Sequence, residues 1–263
     1  MKLAGVAVAA ACLVLAGCAT HPADESGLKP ATSTTGDESP AQLRARIHTE
    51  LAASYFDIGN VGVALEEVKE ALRADPNYGP AHNVAAVIYS QLKEDRLAEE
   101  SFQRALRINA ADSDALHNYG MFLCQRKQER EGIKYFMQAV RNPLYPNPER
   151  SYVNAGVCAR RIGDTAGAAE FFLLALKVRP NQPQALYQMA DLAYARGDYG
   201  EAKSYLNRLT QVVASPNAET LWLGVRVERR LGDRNSEASY ALQLRQRFPD
   251  SRETRALLAG QYE

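Results

Sequence analysis

The amino-acid sequence predicts an all-α fold, a right-handed superhelical solenoid of six antiparallel helix pairs, and three observations carry that prediction. Small residues recur at Ala52, Ala86, Gly120, Gly156, Ala190 and Gly224, separated by 34, 34, 36, 34 and 34 residues. Twelve residues beyond each stands another small residue (Ala64, Ala98, Gly132, Ala168, Ala202, Ser236), and four further on a bulky one (Val68, Phe102, Phe136, Phe172, Leu206, Tyr240) in five of the six units, with valine in the first. Turn formers lie between, at Gly59-Asn60, Gly163-Asp164, Gly197-Asp198 and Gly232-Asp233. A fixed period of this length marks a unit that cannot bury its apolar face alone and must stack on its neighbours.

The units begin near Ala45, Gly79, Ser113, Glu149, Pro183 and Asn217, and their spacing is that of tetratricopeptide repeats. The small residues let two helix backbones approach, and the bulky residue fills the space beside them. Glycine after the first helix takes the left-handed conformation that ends it without a Cβ clash. Pro76, Pro180 and Pro249 stop the second helices, while Ala110 stands at that place in the second unit. After Gly232 the register slips by one or two residues, as a terminal capping repeat allows.

The best-marked stretch runs from Asn118 to Asp164, where Tyr119-Gly120 and Ala155-Gly156 start two copies of the hairpin. Between them the run Asn142-Pro143-Leu144-Tyr145-Pro146-Asn147-Pro148 holds the two extra residues. Its prolines can continue neither helix, so it is expected to project as a stiff extended segment. Tyr145 would then be either part of a tolerated insertion or a contact point for a partner.

Residues 1–17 read as a signal peptide, with Lys2 ahead of the apolar run Leu3 to Leu15. Leu15-Ala16-Gly17-Cys18 looks like a bacterial lipobox, which makes Cys18 the lipidated residue and the first of the mature chain; an ordinary signal peptide is the alternative. Ala19 rather than Asp after the cysteine points to export to the outer membrane, where several acyl chains make the attachment lasting. Residues 18–40 form the lipidated cysteine and a tether rich in Thr, Ser, Pro and Gly, long enough to hold the folded part roughly 25 Å from the lipid. Residues 41–263 are the repeat domain, and nothing after the first 20 residues is apolar for long enough to span a bilayer.

The function classes narrow by chemistry. Lys and Arg number 31 against 31 Asp and Glu, so there is no electrostatic reason to expect a nucleic-acid partner. His48 and His82 share the fourth place of adjacent units, His117 is one place out of phase and His21 lies in the tether, which leaves no metal-ligand cluster. The sequence contains no Gly-rich phosphate loop, no His-Glu-x-x-His and no Gly-x-Ser-x-Gly, and it implies neither cofactor nor small-molecule substrate. Glu66, Glu67, Lys69 and Glu70 have the pattern of a solvated helix face. The chain reads as a scaffold that acts by binding.

Repeat arrays bind through the concave side, lined by the first helix of every unit, and helical spacing puts places two, five, nine and twelve there. In the first unit these are Arg46, Thr49, Ala53 and Phe56, and in the second Pro80, Asn83, Val87 and Ser90. The partner-binding candidates are accordingly Arg46, Thr49, Phe56, Asn83 and Val87, with Tyr145 as the outlying one; for Phe56 and Val87 packing between units is the alternative. Cys124 and Cys158 fall on first helices of consecutive units, so a disulfide is open to them in an oxidising compartment, as are two buried thiols.

In layout, lipobox, tether and six repeats, and in Phe122-Leu123-Cys124-Gln125, Tyr135-Phe136, Asn142-Pro143-Leu144-Tyr145-Pro146 and Asn154-Ala155-Gly156, the chain resembles the outer-membrane lipoproteins of type IV pilus biogenesis and stability, the pilotins of the pilus secretin. The resemblance implies a protein that binds secretin subunits on the periplasmic face of the outer membrane and promotes their localisation and assembly. A periplasmic adaptor for proteases or cell-wall enzymes would use the same anchor and repeats.

Overall fold

The computed structural model describes residues 38–262, and within them the chain is helical throughout. Six antiparallel pairs follow in order: α1 (Pro40–Asp57) with α2 (Val61–Ala74), α3 (Gly79–Gln91) with α4 (Asp95–Ile108), and α5 (Ser113–Gln125) with α6 (Glu129–Ala139). Then come α7 (Pro148–Arg161) with α8 (Thr165–Val178), α9 (Pro183–Ala195) with α10 (Tyr199–Val212), and α11 (Ala218–Leu231) with α12 (Arg234–Arg247). Each pair packs internally, and each second helix packs on the first helix of the following pair. This is the tetratricopeptide solenoid that the period predicts.

Two boundaries differ from the sequence reading. Pro40, assigned to the tether, is the first residue of α1, because Ser39 caps that helix in a capping box with Gln42. A solitary helix, α13 (Arg252–Leu258), follows the sixth pair and packs on α11 and α12. Ser251 caps it, accepting from the Thr254 backbone, while Thr254 Oγ1 donates to Phe248 O at 2.7 Å.

The packing follows the small-and-bulky code. Ala52, Ala64, Ala86, Ala98, Ala168, Ala190 and Ala202 are fully buried, as are the rings of Phe136 and Phe172. At Gly120 and Gly132 the backbones of α5 and α6 meet: a Cβ on Gly132 would lie 2.7 Å from Gly120 O. The turn after each first helix needs a left-handed residue, which is glycine at 59, 163, 197 and 232; in the second and third units Lys93 and Lys127 take it, with φ of 65° and 62°. Asn60, Asp164, Asp198 and Asp233 then cap the second helices with their side chains.

The connector before α7 does not project. Leu144 N donates to Asn142 Oδ1 at 2.9 Å and Tyr145 N to Asn142 O at 3.1 Å, which closes it into a turn, and Asn142 Nδ2 ties that turn to Ser113 Oγ at 3.2 Å. Tyr145 is 5% exposed and packs with Leu116 and Ala139, so the expectation of a stiff segment presenting this ring to a partner is corrected: its ring belongs to the core. Burying an aromatic ring outweighs holding the proline-rich run extended in water. Leu144 instead is exposed, together with Pro143 and Pro146.

Beneath the connector lies a buried polar chain. His117 Nδ1 is 2.7 Å from Ser151 Oγ, Ser151 Oγ donates to the Tyr145 hydroxyl at 3.4 Å, and Asn154 Nδ2 lies 3.4 Å from His117 Nε2. The arrangement suits a neutral imidazole that donates through Nδ1 and accepts through Nε2. Burial, with Arg150 adding repulsion, pushes His117 from 6.5 down to about 4. The unfolded chain therefore takes up a proton that the folded chain refuses between those values, so this stability is complete above the unfolded value and is lost as pH falls toward 4. The expected loss is about 3 kcal/mol. Urea unfolding across this range checks it: the native chain should lose that much more than His117→Gln, and equal pH slopes would mean that the fold accommodates the imidazolium.

Candidate partner-binding surface

The inner wall of the array is built from the first helices, and riveted along its length by arginines near their C-termini. Arg126 Nη2 donates to Ser90 O at 3.3 Å and pairs with Asp95, while Arg161 Nη1 donates to Cys124 O at 3.1 Å. A guanidinium suits the carbonyl end of a helix, where the dipole favours a cation and each oxygen has a second lone pair to share. Beside Arg161 the structure joins Cys124 to Cys158 in a disulfide, with 6.0 Å between the Cα atoms, which staples α5 to α7.

At the N-terminal end the candidate residues occupy varied environments. Thr49 is buried and spends its hydroxyl on Ala45 O at 2.7 Å; Asn83 is buried and accepts from Asn118 Nδ2 at 3.2 Å. Both are enclosed rather than set on an open floor, and that part of the expected groove is corrected: i→i+4 back-bonding engages Thr49 and the approach of α5 engages Asn83. Phe56 is half-buried against the cluster of Ala52, Ala64, Val68, Ala85 and Ile88, and Val87 against the one that joins Ala86, Ala98 and Phe102 to Tyr119, Phe122 and Leu123, so both belong to clusters that span two units. Arg46 is partly exposed and pairs with Glu50 at 3.0 Å. Glu67, placed on a solvated face by its neighbours in sequence, instead meets His48 Nδ1 at 2.6 Å. Cys18, the signal segment and the tether up to residue 37 lie outside the described residues.

Two open clefts lie at the other end. One of about 690 Å³ is walled by Tyr194, Arg226, Arg229, Arg230 and the tail residues Gly260 to Tyr262. A second of about 590 Å³ is walled by Tyr187, Glu219, Trp222 and α13, and shares Arg226 and Gln261 with the first. Arg226 lies 4.7 Å over the Tyr194 ring and 5.9 Å from that of Trp222, which stacks in turn on Tyr262 at 5.6 Å. Arg160 donates to Asp191 Oδ2 at 2.7 Å, and Arg226 stands 3.8 Å from the other oxygen of that carboxylate. Burial pushes the Tyr187 hydroxyl up to about 12, so it serves as a neutral hydrogen-bonding group. The arrangement has the ingredients of a peptide-binding surface, aromatic walls with planar cations between them.

A sequence signal for this surface existed. Counting the same places two, five, nine and twelve in the fifth unit names Gln184, Tyr187, Asp191 and Tyr194, three of which touch these clefts or their ion pairs. In the sixth unit the count fails by one place, since the cleft residues are Trp222, Arg226 and Arg229 rather than Leu221, Val225 and Glu228, which are buried.

Comparison with known proteins gives the same architecture and more. Tetratricopeptide-repeat models match residues 49–114 and 161–221. The type IV pilus assembly protein PilF of Pseudomonas aeruginosa is 33% identical over 226 residues, covering 84% of this chain and 89% of that one. A solved structure of Pseudomonas aeruginosa PilF superposes with a TM-score of 0.78 at 31% identity, over 84% of this chain and all of the other. The crystal structure of PilW, described as a widely conserved type IV pilus biogenesis factor, gives 0.73 at 32% identity, over 81% and 98%.

Proposed function

Because this chain belongs to the PilF/PilW family of type IV pilus biogenesis proteins, we propose that it is an outer-membrane lipoprotein scaffold that binds subunits of the pilus secretin and promotes their localisation and multimerisation. The observation that supports this most is the match along nearly the whole length of PilF, over an array of stacked pairs with an open inner wall. In this reading Cys18 carries the acyl chains, the following residues reach into the periplasm, and the array holds a secretin subunit close to the membrane it must enter. The protein supplies position and effective concentration rather than chemistry.

The test separates anchor from scaffold. With Cys18→Ala the protein should leave the outer-membrane fraction almost completely, and outer-membrane secretin multimers and surface pili should fall with it, while the variant still retains secretin subunits in a pull-down. Fractionation, immunoblotting of heat-stable multimers and piliation counts check this. Normal multimers in cells lacking the protein altogether would overturn the reading.

A further inference from the structure

We propose that the paired clefts between α9, α11 and α13 bind a short acidic segment of a protein partner, with a carboxylate of that segment received by Arg226. The lining carries five guanidinium groups, on Arg226, Arg229, Arg230, Arg252 and Arg255, against the two carboxylates of Glu219 and Glu253. This local excess stands out in a chain whose formal net charge is zero. Arg229 is held by Glu237 at 3.0 Å and lies 3.9 Å from the centre of the Tyr262 ring, so it shapes the wall.

Arg226 is the group with capacity to spare. Its side chain is 17% exposed, and its Nε is buried without a hydrogen-bond partner among the described residues. The nearest carboxylate, Asp191, is 3.8 Å away and already accepts from Arg160. One carboxylate thus serves two guanidinium groups and leaves a positive charge between aromatic rings. Stacking on Tyr194 and Trp222 fixes the plane of the guanidinium, and its partly exposed end is the part that would receive the incoming carboxylate. The half-buried rings of Trp222 and Tyr187, both lining the second cleft, give an apolar residue of the same segment a place to lie.

This rests on the scaffold reading only in taking the inner wall as a partner surface. The full chain in neutral detergent is titrated into a labelled decapeptide of Asp and Glu with one central Phe, and into its Asn/Gln counterpart, with fluorescence anisotropy as the readout. The acidic peptide should bind at least about tenfold more tightly than the neutral one, and more weakly as salt rises. Arg226→Gln should lose about tenfold or more. Arg252→Glu, at the first residue of α13 where an acidic side chain favours the helix, should weaken binding several-fold with the fold intact. Arg96→Glu, on the exposed outside of α4, should change nothing. Equal binding of the two peptides, indifference to Arg226→Gln and Arg252→Glu, or an equal loss with Arg96→Glu overturns the proposal. Secretin capture is scored separately, so loss of acidic-peptide binding with secretin retained counts against this inference alone, and the reverse counts against the scaffold reading alone.

Discussion

Phe172→Ala is expected to destabilise the protein by about 4 to 5 kcal/mol, the upper part of the range for a buried phenylalanine. The ring is fully buried at the centre of the largest apolar cluster, which runs from Val153 to Val227. It also fills the place of a side chain on Gly156, since a Cβ there would stand 2.5 Å from Phe172 Cε1. With the ring gone, glycine has nothing to put into the hole, and the flanking Ala159, Ala168 and Ala190 are too small to collapse into it. A fall in melting temperature on the order of 10 °C, read by circular dichroism, is the corresponding signal. A loss below ~1 kcal/mol would show that α7 and α8 close up, which the stacked neighbours should prevent.

Removing the disulfide ranks second. The bridge closes a loop with a sequence separation of 34, for which the chain-entropy relation gives a stabilisation of about 4 kcal/mol. Alanine is the substitution to use, because both cysteines are buried with Phe136 and Ala155, in an apolar cluster where a methyl costs less than a hydroxyl. Urea unfolding of Cys124→Ala/Cys158→Ala against the oxidised native chain should show most of that loss, and the double variant should be indifferent to reductant. If the two unfold alike, the unfolded chain already holds α5 near α7, and the staple acts on something other than the loop.

The fold was legible because repetition multiplies a weak signal. A single small residue says little, but Ala52, Ala86, Gly120, Gly156, Ala190 and Gly224 in phase leave one arrangement of helices that buries them all. The turns were legible for the same reason, with an instructive gap: at Lys93 and Lys127 the left-handed turn is present without glycine, since two flanking helices held by their own packing impose that backbone on whatever residue stands there. The repeat phase also carried a position rule for the inner wall, and that rule succeeded at Tyr187 and Tyr194 in the fifth unit while Thr49 and Asn83 in the first two turned out to be enclosed.

What the sequence by itself determined, then, is the local code: which residues are helical, which faces are small and which bulky, and the period that stacks them. What the tertiary structure alone decided is how neighbours use the space left over. Tyr145 enters the core because Leu116 and Ala139 leave a seat for it. Cys124 and Cys158 meet because α5 and α7 bring their Cα atoms to 6.0 Å. Arg226 gathers Tyr194, Trp222 and Asp191 around it from two different helices, and α13 completes the cleft. Periodicity constrains positions within a repeat, because each helix face must match the same neighbour; contacts between non-equivalent places depend on distances that no fixed spacing in sequence encodes.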